Sequence, residues 1–158
     1  MRALAAGAAL AALALAAPAR GAIVPQQGIK GVRLGDGVAK VRARLGAPDH
    51  VIFTRDPIIG RVRVYKYGLT YVRFDGAGRG AKVNTVSTTS RAERTSRGVG
   101  VGSTRAQVAA KVPRVTCRVE FGVDHCYVGA FTAGHRVTDF RIASDGRVAR
   151  VVVGFVVD

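Results

Sequence analysis

The sequence predicts an α+β protein made of two tandem repeats, each a short helix packed on an antiparallel sheet of about four strands. Three observations carry this prediction. Gly31-Val32-Arg33-Leu34-Gly35-Asp36 leads into Val38, Val41 and Leu45, and Gly98-Val99-Gly100-Val101-Gly102-Ser103 leads into Val108 and Val112. Self-similarity of this kind, with Gly35 and Gly102 67 positions apart, is the mark of a duplicated architecture. Behind each of these segments, apolar and polar residues alternate at the strand period, with turn residues between the runs. Asp75-Gly76 and Asp145-Gly146 fall at matching places before the last strand of each half.

The chain opens with a basic residue, Arg2, and an apolar run from Ala3 to Ala17. The run is too short and too weakly flanked for a stable membrane span, and no polar face interrupts it as a buried amphipathic helix would require. Ala17-Pro18-Ala19 fits the small-x-small cleavage rule, so residues 1–19 read as a signal peptide, with cleavage after Gly21 as the alternative. Without a Cys near either point a lipid anchor is not expected, and without a second long apolar run the mature chain has no membrane span. What remains is one ordinary domain or two very small ones. The boundaries implied are 28–90 for the first repeat and 97–158 for the second.

Residues 22–30, with Pro25, Gly28 and two Gln, read as a lead-in. Asp36 is a candidate N-cap, Val38, Val41 and Leu45 mark one helical face, and Gly46 and Pro48 stop the helix. Val51-Ile52-Phe53 is a compact strand, and Asp56-Pro57-Ile58-Ile59-Gly60 is a turn with an apolar tip. Residues 61–67 alternate. Gly68 turns the chain, residues 70–74 alternate again, and residues 83–87 close the half. Residues 88–97 are polar and read as a linker. Ser103 is the second N-cap candidate, with Gln107 near the capping-box position and Pro113 ending the helix. Residues 115–120 and 125–130 form a hairpin around Gly122, residues 136–142 form a strand, and residues 148–157 form a long apolar one.

The formal net charge is +15, from 25 Lys and Arg against 10 Asp and Glu. A basic exported chain fits an anionic envelope polymer. The excess is nevertheless 20 Arg to 5 Lys in an Ala-, Gly- and Val-rich chain, which GC-rich coding would produce without any partner. Cys117 and Cys126 are an even pair with hairpin spacing, so they read as a disulfide in an oxidising compartment. Two Cys beside His125 do not make a metal-ligand set.

The pattern Gly-x-x-Leu-Gly-Asp, a helix with Val at every third position, then Arg44-Leu45-Gly46-Ala47-Pro48-Asp49 entering a strand, resembles the helix-plus-sheet repeat superfamily of the β-lactamase inhibitory protein and the SmpA/OmlA-type small outer-membrane assembly lipoproteins. The likeness covers residues 28–90 and 97–158 once each. The second half departs from it where Lys111-Val112-Pro113 replaces the Leu-Gly-x-Pro end of the helix. The tandem arrangement behind a signal peptide looks most like the inhibitor, and the lipoproteins' lipidated Cys has no counterpart here. The resemblance implies a protein-binding module that blocks or captures a secreted or envelope protein, and it assigns no contact residue.

No catalytic constellation accompanies this. Asp49-His50 and Asp124-His125 are adjacent pairs, and strand neighbours point to opposite faces, which is poor geometry for an Asp-oriented base. There is no Gly-x-Ser-x-Gly, no paired carboxylates and no metal cluster, and the glycines at 98–102 lack the ending of a phosphate loop. The expectation is a non-catalytic binder without cofactor or metal. Its contact face is the stripe Arg61, Arg63, Tyr65 and Tyr67 with Tyr71 and Arg73, on the helix-free side, while Val62, Val64, Val72 and Phe74 point at the helix. Stacking of single-stranded nucleic acid on such a stripe is disfavoured by the exported location.

Overall fold

A computed structural model describes residues 22–157. The signal peptide predicted over residues 1–19, or 1–21, lies outside the described residues. The described residues open with three two-residue strands, β1 (Ile23–Val24), β2 (Gly28–Ile29) and β3 (Val32–Arg33), which form a small antiparallel sheet. Helix α1 (Val38–Leu45) follows, then β4 (His50–Asp56), β5 (Gly60–Tyr67), β6 (Thr70–Phe74) and β7 (Val83–Thr88). Helix α2 (Arg105–Lys111) precedes β8 (Thr116–Glu120), β9 (Val123–Gly129), β10 (Arg136–Ile142) and β11 (Val148–Phe155).

The predicted fold class is corrected at the level of the sheet. The strands do not make two four-stranded units, each under its own helix. They form one eight-stranded antiparallel sheet in the order β4-β5-β6-β7-β11-β10-β9-β8, and the described chain is mostly strand, 48% against 11% helix. The seam is β7 against β11, with Thr88 opposite Val151 and Thr85 opposite Gly154. The physical reason is the edge. After its hairpins close, each set of strands would leave a row of unpaired backbone groups on its last strand, and joining β7 to β11 satisfies both rows. The lead-in is corrected as well. Ile23, Ile29 and Val32 of the small sheet are core residues.

One face of the large sheet is covered by α1, α2 and the small sheet. A directly opposed row on that face runs Tyr65, Val72, Val86, Val153, Thr138 and Val128 across β5, β6, β7, β11, β10 and β9. Its apolar members share one buried cluster with Val41 of α1 and Val108 of α2. Thr138 is satisfied there by the backbone N–H of Gln26, 2.6 Å from its hydroxyl. The two Gly-rich turns make the same local structure. Gly35 and Gly102 both adopt φ of 86°, and their N–H groups donate to Val83 and Val148, the residues that start β7 and β11.

The helix starts differ from the reading. α1 is capped at Gly37, and Asp36 instead accepts the Arg33 N–H at 2.8 Å and pairs with Lys40 at 2.7 Å. α2 is capped by Thr104, one residue after Ser103, in a reciprocal capping box with Gln107. The segment read as a linker is packed in part. Glu93 and Thr95 are buried, and the Arg94 guanidinium donates to the carbonyls of Gly98 and Val101 and to the Ser103 hydroxyl.

Candidate functional site

The predicted stripe does not form one face. Gly68-Leu69 is a two-residue turn, so Tyr67 lies opposite Thr70 and Tyr65 opposite Val72. Parity then sends Tyr65 to the covered face, where it is 4% exposed with its ring 5.1 Å from that of Phe74. Tyr67 follows it, half-buried, its hydroxyl donating to the Gly46 carbonyl at the end of α1. Burial pushes the Tyr67 phenol up, helped by the neighbouring Tyr65. Arg61 lies over the Phe53 ring, and the Arg63 guanidinium donates to the Ala77 carbonyl. Tyr71 and Arg73 go to the helix-free face, where Tyr71 opposes Lys66 and Arg73 opposes Val64. Arg73 is paired with Asp56. Backbone N–H groups of Ile59 and Ile58, with Arg73, hold that carboxyl below its ordinary value. Val62 and Val64 therefore do not point at α1 with Val72 and Phe74. The two-residue turn was readable in the sequence, and counting across it would have found the split.

The helix-free face carries its chemistry at the other end of the sheet. The β8–β9 hairpin turns through Phe121-Gly122, and the registers place Arg118, His125, Arg141 and Arg150 directly opposite one another across β8, β9, β10 and β11. Two residues along each strand, Thr116, Tyr127, Asp139 and Val152 form the next row of the same face. The His125 Nδ1 is 3.0 Å from Asp139 Oδ1, and Arg141 Nε donates to Asp139 Oδ2 at 3.1 Å. A carboxylate only accepts, so Nδ1 carries the proton and Nε2 is turned to the cleft. His125 is 7% exposed and Asp139 4%. Nε2 lies 3.4 Å from Glu120 Oε2, yet it is buried without a hydrogen-bond partner of acceptable geometry. Arg118 Nε pairs with Glu120 Oε2 at 2.7 Å.

Aromatic side chains frame this group. Phe131, from the β9–β10 loop, has its ring 5.5 Å from that of His125 and 4.8 Å from that of Tyr127. Arg118 lies 5.1 Å from the Tyr127 centroid. Phe121, Val123 and Phe131 complete a cleft of about 450 Å³ with Arg118, Glu120, His125, Asp139 and Arg141. Asp124, the sequence neighbour of His125, turns to the opposite face and accepts from Arg105 Nε at 3.1 Å. The predicted Cys117–Cys126 disulfide is present, joining directly opposed residues of β8 and β9 on the covered face behind the cleft. His50 and His135 are exposed elsewhere.

The sequence reading named His125 but not its partners. The diagonal His125–Asp139 pair is invisible to adjacency and needs the β9–β10 register. A second recess, of about 530 Å³, is lined by Lys30, Arg33, Lys40 and Arg44 beside the small sheet. Two of its cations are already paired, Lys30 with Glu93 and Lys40 with Asp36. No helix among the described residues is long and apolar enough to cross a membrane, and no His/Cys/Asp/Glu group among them could hold a metal ion.

No protein-family model matches this chain, and no curated protein does. Among solved structures the chain is similar to a DUF4309 family protein, YjgB, from Bacillus subtilis, with a TM-score of 0.51 and 14% identity over 85% of this chain and 88% of that one. An extracellular protein containing an SCP domain from Bacillus anthracis also matches, with a TM-score of 0.45 and 16% identity over 77% of this chain and 44% of that one. At this identity the first likeness concerns the fold alone.

Proposed function

We propose that this chain is an exported, non-catalytic binding module, and that the cleft around His125 on the helix-free sheet face is its contact surface for a secreted or envelope protein. The observation that carries this reading is the unpartnered, buried Nε2 of His125 at the base of a cleft walled by Phe121 and Phe131. Buried polar atoms are ordinarily satisfied, and this one has only Glu120 Oε2 near it, at 3.4 Å, so a group entering the cleft completes it. The lining residues include no Ser, Thr, Cys or Lys, so an acyl-transfer nucleophile is missing from the cleft. The disulfide and the leader-like first residues support export into an oxidising compartment.

The test is capture of a partner from culture supernatant and envelope fractions by the immobilised chain, followed by the same capture with Phe131→Ala. Phe131 is about half exposed, so its loss spares the core. The expected result is a retained fold and a partner affinity reduced by about 2 kcal/mol, the size of an interface hot spot. Turnover of a substrate by the purified chain, abolished in His125→Asn, would overturn the reading.

A second reading is electrostatic binding of an anionic envelope polymer, favoured by the row Arg118, Arg141 and Arg150 and by the net charge of +15. Such binding loses orders of magnitude between low and high salt, because counterion release drives it. A protein contact centred on Phe131 tolerates salt.

A further inference from the structure

We infer that the group gripped by this cleft is an oxyanion, a carboxylate or phosphate, attached to an apolar body. The inference rests on the cleft being the binding surface and goes on to name what it binds.

Arg118 and Arg141 flank His125 in direct register, which brings each arginine within about 5 Å of His125 at Cβ and sets the two arginines about 10 Å apart on either side of it. Each arginine pairs through Nε with a carboxylate, Glu120 or Asp139. Among the described residues no hydrogen bond engages their terminal nitrogens, so each retains the planar pair of donors that matches a carboxylate or phosphate edge. The two acids cancel the two arginines in formal charge, but not in position. The Asp139 side chain is nearly enclosed by the sheet, whereas about half of each arginine side chain reaches solvent. Glu120 is about a third exposed, so of the two acids only Asp139 lies deep, and both arginines reach further into solvent than either acid; Arg150 adds a further cation in the same row. His125, held through Nδ1 by Asp139, turns Nε2 into the cleft between these arginines.

The apolar body is read from Phe121. This residue has φ of 49° at the first position of a two-residue hairpin turn whose second residue, Gly122, has φ of 76°. That turn favours Asn or Asp at the first position, and a bulky residue there is an outlier. The phenyl ring is also fully exposed, so packing within the described chain does not account for it. It stands beside the cleft with Val123, and Phe131 stands on the wall. A strained, solvent-facing aromatic at the rim of a charged recess is suited to cover the apolar part of a ligand.

The experiment is an NMR titration of the isotopically labelled chain with N-acetylphenylalanine, its uncharged amide, phenyl phosphate and inorganic phosphate. The acid or the phosphate ester is expected to bind with a Kd of about 1 mM or tighter and to shift the His125 ring signals, while the amide does not bind. Binding of the acid alone identifies a carboxylate such as a chain terminus, and binding of the ester alone identifies a phosphate group. Arg118→Gln and Arg141→Gln should each weaken binding about tenfold, and Arg55→Gln on the far edge strand should leave it unchanged. Phe121→Ala should weaken the aryl probes and spare inorganic phosphate. Equal binding of acid and amide, or equal damage from Arg55→Gln, overturns the assignment. Failure of all probes to about 10 mM also overturns it. If partner capture still depends on Phe131 in that case, the contact surface stands and only its ligand class is wrong; if that dependence is lost too, both fall.

Discussion

Glu93 shows how single residues tie distant parts of this chain together. Its carboxylate accepts from the Thr88 hydroxyl at 3.1 Å at the end of β7 and lies 3.6 Å from Lys30 beside the small sheet. Burial opposes ionisation, but hydrogen bonds from Ser90 and Thr88 and the charge of Lys30 outweigh it, so the carboxyl sits below its ordinary value of 4.5. Asp36 behaves in the same way: burial opposes its charge, and Lys40 with the Arg33 N–H prevails. A folded-state value below the unfolded one means stability that is present above the unfolded value and lost as pH falls through the folded one. The urea midpoint should therefore hold steady above about pH 5 and fall steadily below about pH 4, and Glu93→Gln should make that fall shallower. An unchanged slope would show that the Glu93 network does not contribute. None of this was legible at residue scale. The sequence showed one Glu in a polar stretch, and only the fold shows that this Glu is buried beside Thr88.

At the scale of elements, the strands were the most legible part. The ranges read from alternation and turn residues fall on β5 to β11 within a residue or two, because a two-residue period and glycine turns are local properties; β4 runs three residues past the Phe53 end read for it. Helix starts slipped by one residue, since Asp36 and Ser103 each found a nearer backbone N–H to accept, from Arg33 and from Gly100. The disulfide is also local. It closes the β8–β9 hairpin, the element that presents Arg118, Phe121 and His125. Replacing both cysteines by serine should lower stability by about 2–3 kcal/mol in the chain-entropy picture. Because Cys126 is fully buried, a Cys126→Ala, Cys117→Ser variant separates the loss of the bridge from the cost of a buried hydroxyl. Chemical denaturation with and without reductant measures the effect, and a midpoint unmoved by reduction would contradict it.

At the scale of the whole molecule, the β7–β11 seam joins the two halves in one sheet, so residues 22–157 are expected to unfold as one cooperative unit. Val153 lies in that seam, opposite Val86 and fully buried. Val153→Ala should lower the thermal midpoint seen at Tyr65, in the first half, and at Tyr127, in the second, by the same amount and in one transition. Two separable transitions would indicate independent halves. A fragment of residues 97–158 should fail to fold, since it would expose the inner edge of β11 and lose the β7 partner.

Residues close in the chain dictate the strands of the large sheet, the turns between them, the paired cysteines and the twin Gly-rich corners, and these were legible before any fold was known; the three short strands of the small sheet were not. Only the tertiary structure shows that two predicted sheets are one, that Tyr65 is buried in the core shared with α1 rather than on an open face, and that His125 meets Asp139 between Arg118 and Arg141. Those outcomes depend on strand register and on edges seeking partners. Register is cumulative across turns, so a single misjudged parity moves every side chain of a strand to the other face, and edge pairing is a property no segment carries on its own.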